Sequence, residues 1–374
     1  MIPYGHQTIE DDDIAAVVSA LKGEWLTQGP QIEAFESALS SYAGARYVVV
    51  CNNGTSALHM AYAAAGLGAG DEFITTPLTF FATANAGLWQ GSRPVFVDID
   101  SATGSLDPEL VETKITSKTK AIVVVDYMGR PAAFDKLRII AEKHHLVLIE
   151  DGAQSLGAEY NGKKIGSISD LTTFSFHPVK TITTGEGGAV LTNDEVKYRF
   201  MKKFVTHGLT KEQFFRPSPG PWYMEMAMLG QNYRLTDIQC ALGISQLKKV
   251  DRFVEKRRLL AERYNEAFAN TDLILPPADT TEFKSAWHLY VIRLPERLVD
   301  AKSDIVQKLR SDGIWAQVHH IPVHTDPYYT SLGYGLGLCP KAEAWYARAL
   351  SLPLYPLLST AEQDHVIAAV KALL

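Results

Sequence analysis

The chain has 374 residues, of which 46% are hydrophobic and 21% charged, a composition that suits a folded globular protein and excludes a largely disordered one. Thirty-six Lys and Arg against 42 Asp and Glu leave a formal charge of -6, without the basic surplus that phosphate backbones demand, so no nucleic-acid partner is expected. The 3 cysteines, Cys51, Cys240 and Cys339, offer neither a disulfide framework nor zinc spacing, and no apolar run approaches the roughly 18 residues of a membrane span.

The opening residues MIPYGHQTIEDDD lack an apolar core behind a basic start, so a cytoplasmic protein is expected. A first helix is predicted within residues 10–21, after a cap at Thr8, and a second over 30–42, where proline suits the first helical turn. From Arg46 to about Thr192, runs apolar on both faces (RYVVVC, EFITTP, PVFVDID, KAIVVVDY, LVLIED) alternate with helix-length segments. That pattern predicts an α/β fold, doubly wound around a parallel sheet. Within it, NGKKIG reads as a hairpin turn and not a P-loop, because Lys164 stands where a magnesium-binding hydroxyl is needed. The glycines around Gly66 and Gly333 lack dinucleotide-binding spacing.

Residues 209–231 are rich in Pro, Gly and aromatics and read as a functional loop. A helix is predicted over 234–256, then strands at HLYVIRL and IWAQVHH, and helices near 301–311, 342–350 and 361–373. The expected division is a large domain, 1–245, and a smaller C-terminal α/β domain, 246–374. The pairs His144-His145 and His319-His320 would point to opposite faces of a strand, so no metal site is expected.

Three segments carry chemistry. FSFHPVKTITTGEGGAV sets Lys180 between two apolar strands, among glycines that allow close backbone approach. IEDGAQ puts Asp151 just past a strand, where open α/β sheets bind ligands. VVVCNNGTSALHMA runs from a strand into a helix starting near Thr55 and Ser56, whose hydroxyls and free N–H groups make an anion site. Each alone has an ordinary reading, as a solvated lysine, a capping aspartate and a simple helix cap. Together they supply what pyridoxal phosphate needs: an amine to bond it, a carboxylate for its pyridine nitrogen, and a helix end for its phosphate.

With these blocks, and with LTQGPQIEAFESALSSYAGA, TTPLTFFATANA, HGLT, GQNYRLTDIQCALGISQL and IWAQVHHIPVH, the chain resembles the sugar-nucleotide aminotransferases of the DegT/DnrJ/StrS family over essentially its whole length. The resemblance implies the aspartate-aminotransferase-like fold (fold type I) with a mostly parallel seven-stranded sheet, a pyridoxal 5'-phosphate cofactor, and a homodimer with shared active sites. It assigns Lys180 to the covalent bond with the cofactor and Asp151 to the pyridine nitrogen. Gln154 falls near the phenolic oxygen, Phe80 on the ring face, and Thr55, Ser56 and Ser175 at the phosphate. Asn232 would reach the cofactor phosphate of the neighbouring subunit. Lysine at position 180, where a few family members carry histidine, implies transamination in place of dehydration.

Within the family, FSFHPVKTITTGEGGAV, GPWYMEMAMLGQNYRLTDIQCALG and IWAQVHHIPVH are similar to the branch that serves pseudaminic acid synthesis. That likeness implies L-glutamate as donor and C4 of a UDP-linked 4-keto-6-deoxy-N-acetylhexosamine as acceptor. A dTDP- or GDP-linked keto sugar is the alternative acceptor. The alternative chemistry is a lyase or desulfurase with Cys339 as nucleophile. Trp222 and Tyr223 are available either to stack on the nucleotide sugar or to pack in the dimer, and Arg234 either to bind an anion or to form an ion pair.

Overall fold

The computed structural model describes residues 1–210 and 216–374, and in it the alternating runs become a seven-stranded sheet. Its strands are β1 Tyr47–Cys51, β2 Glu72–Thr75, β3 Arg93–Phe96, β4 Thr119–Val125, β5 Val147–Asp151, β6 Leu171–Ser175 and β7 Gly188–Thr192. They lie in the order β1-β7-β6-β5-β4-β2-β3, all parallel except β7, which runs antiparallel to both its neighbours. Residues 176–187, between β6 and β7, form no helix, so the chain returns without the crossover that a parallel neighbour requires.

Side chains alternate across each strand, which is why the runs had to be apolar throughout. Val48 and Val50 enter one core cluster and Val49 and Cys51 the other; Ile122 and Val124 divide from Ala121 and Val123 in the same way. Helices cover both faces: α1 Asp11–Lys22, α2 Pro30–Ala43, α3 Gly54–Ala64, α4 Phe81–Trp89, α5 Phe134–Lys143, α6 Glu195–Phe204, α7 Asp237–Leu247 and α8 Val250–Phe268. Phe35 of α2, Leu137 of α5 and Cys240 of α7 fill the first cluster; Leu58 of α3, Ala86 of α4 and Phe204 of α6 fill the second.

Two helix boundaries differ from expectation, and one lysine accounts for both. The first helix is flanked by Glu10, not Thr8: the Glu10 N–H donates to Asp13 Oδ2 at 2.9 Å, and Thr8 is buried. The helix predicted over 234–256 is interrupted at Lys248 and Lys249. The Lys249 ammonium turns back to Asp12, Asp13 and Glu10 at 2.5, 2.8 and 3.3 Å, a buried cation closed by three carboxylates. Arg234 lies ahead of α7, which Thr236 caps by accepting from the Gln239 N–H at 3.3 Å.

In the C-terminal part, Tyr290–Arg293 pairs antiparallel with Ala349–Leu352 and packs against helices Lys302–Ser311 and Thr360–Lys371. IWAQVHH yields only the strand Ile314–Trp315, which pairs in parallel with Ile2–Pro3 and so draws Ile2 into the C-terminal core. Val250, Phe253 and Val254 of α8 pack into the first sheet cluster, and the expected division at 245/246 falls in the last turn of α7. The NGKKIG hairpin forms as expected, with Asn161 and Gly162 at φ +49° and +74° joining Glu159–Tyr160 to Lys163–Lys164. Among the described residues no helix is long and apolar enough to cross a membrane.

Candidate active site

β5 lies at the centre of the sheet, and its carboxyl end opens on the crevice that such sheets use for ligands. Asp151 is its last residue, in register with Val125 and Thr173. Ile149 belongs to the cluster under α3 and α4, so Asp151, two residues on, points to that same side. Its Oδ2 accepts from Thr83 Oγ1 at 2.6 Å and its Oδ1 from the Ala153 N–H at 3.2 Å. Burial pushes the carboxyl above its ordinary range, against the opposing pull of the Thr83 hydroxyl and the Lys180 charge.

Lys180 sits in the β6–β7 loop, half-buried, its N–H donating to His177 O at 2.9 Å. Desolvation brings its ammonium down to about 8, the nearby Asp151 charge acting in the other direction. An amine with that proton affinity is in large part neutral, hence nucleophilic, at mildly alkaline pH. The rate at which apoprotein captures pyridoxal phosphate is therefore expected to climb about tenfold per unit below pH 8 and level off above it. Stopped-flow absorbance checks this; a rate still rising above pH 9.5 would mean a lysine with ordinary proton affinity.

Asn53 caps α3, its side chain accepting from the Ser56 N–H at 2.8 Å, while the N–H groups of Gly54 and Thr55 take no bond from the helix itself. Thr55 is half-buried, Ser56 is buried, and Ser175 closes in from the end of β6. The approach is tight: a Cβ on Gly54 would stand 2.8 Å from Ser175 Cβ, and one on Gly188 would stand 2.5 Å from Asn53 O. Only glycine lets three backbones meet there, as a close phosphate cradle requires.

Gln154 is buried, and its Oε1 accepts from the Met128 N–H at 2.8 Å, which leaves its Nε2 protons for another acceptor. Phe80 immediately precedes α4 with a ring 57% exposed, free to cover a flat ligand. Lys180, Asp151, Gln154, Phe80, Thr55, Ser56 and Ser175 thus supply the amine, carboxylate, amide, ring and phosphate-cradle groups that fit pyridoxal phosphate. Asn232 is exposed, its Oδ1 accepting from Arg234 Nε at 3.1 Å, an intrachain role for both residues. Of the 209–231 loop, residues 211–215 lie outside the described residues; Trp222 is 72% exposed and Tyr223 OH donates to Glu225 Oε1 at 2.6 Å.

Sequence reasoning missed a histidine group. The His319 and His320 rings are 4.9 Å apart instead of on opposite faces, because the strand stops at Trp315. Burial pushes His319 down to about 4, and it lowers His320 and His288 as well; the Lys180 charge contributes to all three. Three neutral imidazoles beside one amine make a polar wall that adds no charge of its own, with the buried Arg257 guanidinium next to His288. The HH pair was visible in the sequence, but only the fold brings His288 to it. Thr83 was also passed over, as one hydroxyl in a helical run.

A model of the DegT/DnrJ/EryC1/StrS aminotransferase family matches residues 7–371. The chain belongs to that family. It is 40% identical over 358 residues to the UDP-4-amino-4,6-dideoxy-N-acetyl-beta-L-altrosamine transaminase of Campylobacter jejuni, covering 95% of this chain and 93% of that protein. Helicobacter pylori PseC, an aminotransferase of pseudaminic acid biosynthesis, superposes with a TM-score of 0.93 at 35% identity, over 99% of this chain and 98% of that one. A sugar aminotransferase from Streptococcus pneumoniae in its PLP form superposes with a TM-score of 0.94 at 30% identity, over 100% of this chain and 99% of that one. The protein is therefore a PLP-dependent sugar aminotransferase of fold type I, as the sequence led us to expect. Cys339 gives a desulfurase no nucleophile: it is buried, and its thiol is pushed up to about 12.

Proposed function

We propose that this aminotransferase moves the amino group of L-glutamate to C4 of a UDP-linked 4-keto-6-deoxy-N-acetylhexosamine, in the cytoplasm and as a homodimer. The observation that carries the reading is the pairing of Lys180, with its proton affinity lowered to about 8, and the buried carboxylate of Asp151. The acceptor is supported by the 40% and 35% identities to the Campylobacter and Helicobacter proteins over nearly their whole lengths.

When bound, pyridoxal phosphate supplies an electron sink and a carrier for nitrogen. Lys180 anchors it and, once released, takes the proton from the donor's α-carbon and returns one on the other side of the exchange. A proton affinity near working pH lets the same amine act as base and as acid. Asp151 holds a proton on the pyridine nitrogen, and Phe80 covers the ring. Gln154, its Oε1 already engaged, donates from Nε2 to the phenolic oxygen. Thr55, Ser56, Ser175 and the first N–H groups of α3 hold the phosphate. Asn232, exposed in a single chain, completes the phosphate site of the partner subunit.

An absorbance titration tests donor and acceptor in turn. L-Glutamate is expected to abolish the visible absorbance of the loaded enzyme, and after its removal a UDP-linked 4-keto-6-deoxy-N-acetylhexosamine to restore it. Restoration by a dTDP- or GDP-linked sugar alone would replace the acceptor; no response to glutamate would replace the donor.

A further inference from the structure

Asp151 is the end of a hydrogen-bond chain buried under the site. Thr79 Oγ1 and Thr83 Oγ1 are 2.7 Å apart, and Thr83 Oγ1 is 2.6 Å from Asp151 Oδ2. The three residues are 2%, 0% and 5% exposed, so water does not compete for these bonds. A hydroxyl has one proton to give, and an ionised carboxylate can only accept. Thr83 must therefore spend its proton on Asp151, and its oxygen must accept from Thr79. The direction Thr79 to Thr83 to Asp151 holds only while Asp151 is charged; a protonated Asp151 would donate to Thr83 and reverse it.

The first turn of α4 builds this chain. The Thr83 N–H returns to Phe80 O at 3.2 Å, and Tyr62 OH donates to Thr83 O at 2.7 Å, so the backbone at position 83 is held from both sides. Phe80 and Thr83 share that turn, which joins the ring-covering side chain and the carboxylate's hydroxyl partner in one rigid piece. The positive end of the helix also favours a negative charge there.

We propose that Thr83, backed by Thr79, is a positioning residue that holds Asp151 ionised and aims its remaining lone pair at the pyridine nitrogen. The inference rests on the reading of Asp151 as that nitrogen's partner. Among the described residues Asp151 has two protein donors, and the Ala153 N–H at 3.2 Å is the longer; Thr83 supplies the short bond that opposes the desolvation of the carboxylate. The other titratable groups acting on Asp151 are Lys180 from the β6–β7 loop and Tyr62 from α3, with Glu150 next to it on β5, on the opposite face of the sheet. None of these replaces a lost hydroxyl. Without Thr83, Asp151 binds a proton more tightly and draws it away from the pyridine nitrogen. The ring then carries less positive charge, and the Lys180 nitrogen bonded to it holds its own proton to higher pH.

The experiment loads wild type, Thr83→Val, Thr83→Ser and Thr79→Val with pyridoxal phosphate and follows visible absorbance against pH, together with cofactor affinity. Thr83→Val is expected to raise the spectral midpoint by about one pH unit and to weaken cofactor binding about tenfold, since a hydrogen bond to a charged group is lost. Thr83→Ser, which keeps the hydroxyl, is expected to restore the wild-type midpoint, and Thr79→Val to move it less but in the same direction. A loaded Thr83→Val enzyme with the wild-type midpoint overturns the proposal alone. If Thr83→Val does not fold, an unmoved midpoint in Thr79→Val overturns it. A wild-type protein that takes up no pyridoxal phosphate overturns it together with the site reading on which it rests.

Discussion

Lys180→Ala is expected to lower kcat by about 10³-fold or more while leaving the fold intact. Two losses combine: the covalent hold on the cofactor, and the amine that moves the proton between donor carbon and cofactor. Neither His288 nor His319 replaces the amine, because burial keeps both imidazoles neutral and poor at holding a proton. The fold survives since the substitution removes a half-buried cation from a loop and leaves the strands on either side untouched. Far-UV circular dichroism should match wild type, and mixing with pyridoxal phosphate should give no lysine-dependent absorbance. A variant retaining a tenth of the wild-type rate would remove Lys180 from the chemistry.

Asp151→Asn is expected to lower kcat by about 10²–10³-fold, because a neutral amide cannot hold a proton on the pyridine nitrogen. The same change is expected to stabilise the apoprotein at pH 7. Burial raises the folded-state proton affinity of Asp151 above its unfolded value. Its favourable contribution is thus fully present below the ordinary carboxylate range, near pH 4, and is lost as pH rises through the folded value. Asparagine keeps the shape and still accepts from Thr83, without a charge to desolvate. The Asp151→Asn apoprotein should therefore melt above wild type at pH 7, with the difference closing as pH falls to about 4. A lower melting temperature at pH 7 with unchanged kcat would contradict both halves. The pattern is the usual exchange of stability for activity at a strained polar site.

Much of the large sheet was legible because it depends on short-range pattern. Runs such as VVVC are apolar at every position, which only a strand covered on both faces tolerates, and the turn Asn161-Gly162 names its own geometry. The errors share one cause. Residues 234–256 read as a single helix since nothing local forbids it; the break at Lys249 is made by Glu10, Asp12 and Asp13 on α1 or at its cap, far away in sequence. The strand expected through His319 and His320 was cut to Ile314–Trp315, whose partner is the short strand Ile2–Pro3.

The candidate site divides along the same line. Residue identity and local context were enough to nominate Lys180, Asp151 and the α3 start, which only in combination point to pyridoxal phosphate, and the resemblance to the family supplied the class of reaction. Proton affinities, hydrogen-bond direction and the company each group keeps depended on the tertiary structure. Thr83 is one hydroxyl in a helical run until the fold sets it 2.6 Å from Asp151. Lys180 is an ordinary lysine until burial lowers it to about 8. Desolvation and Coulomb forces act through space, so they are set by residues that the chain order keeps apart.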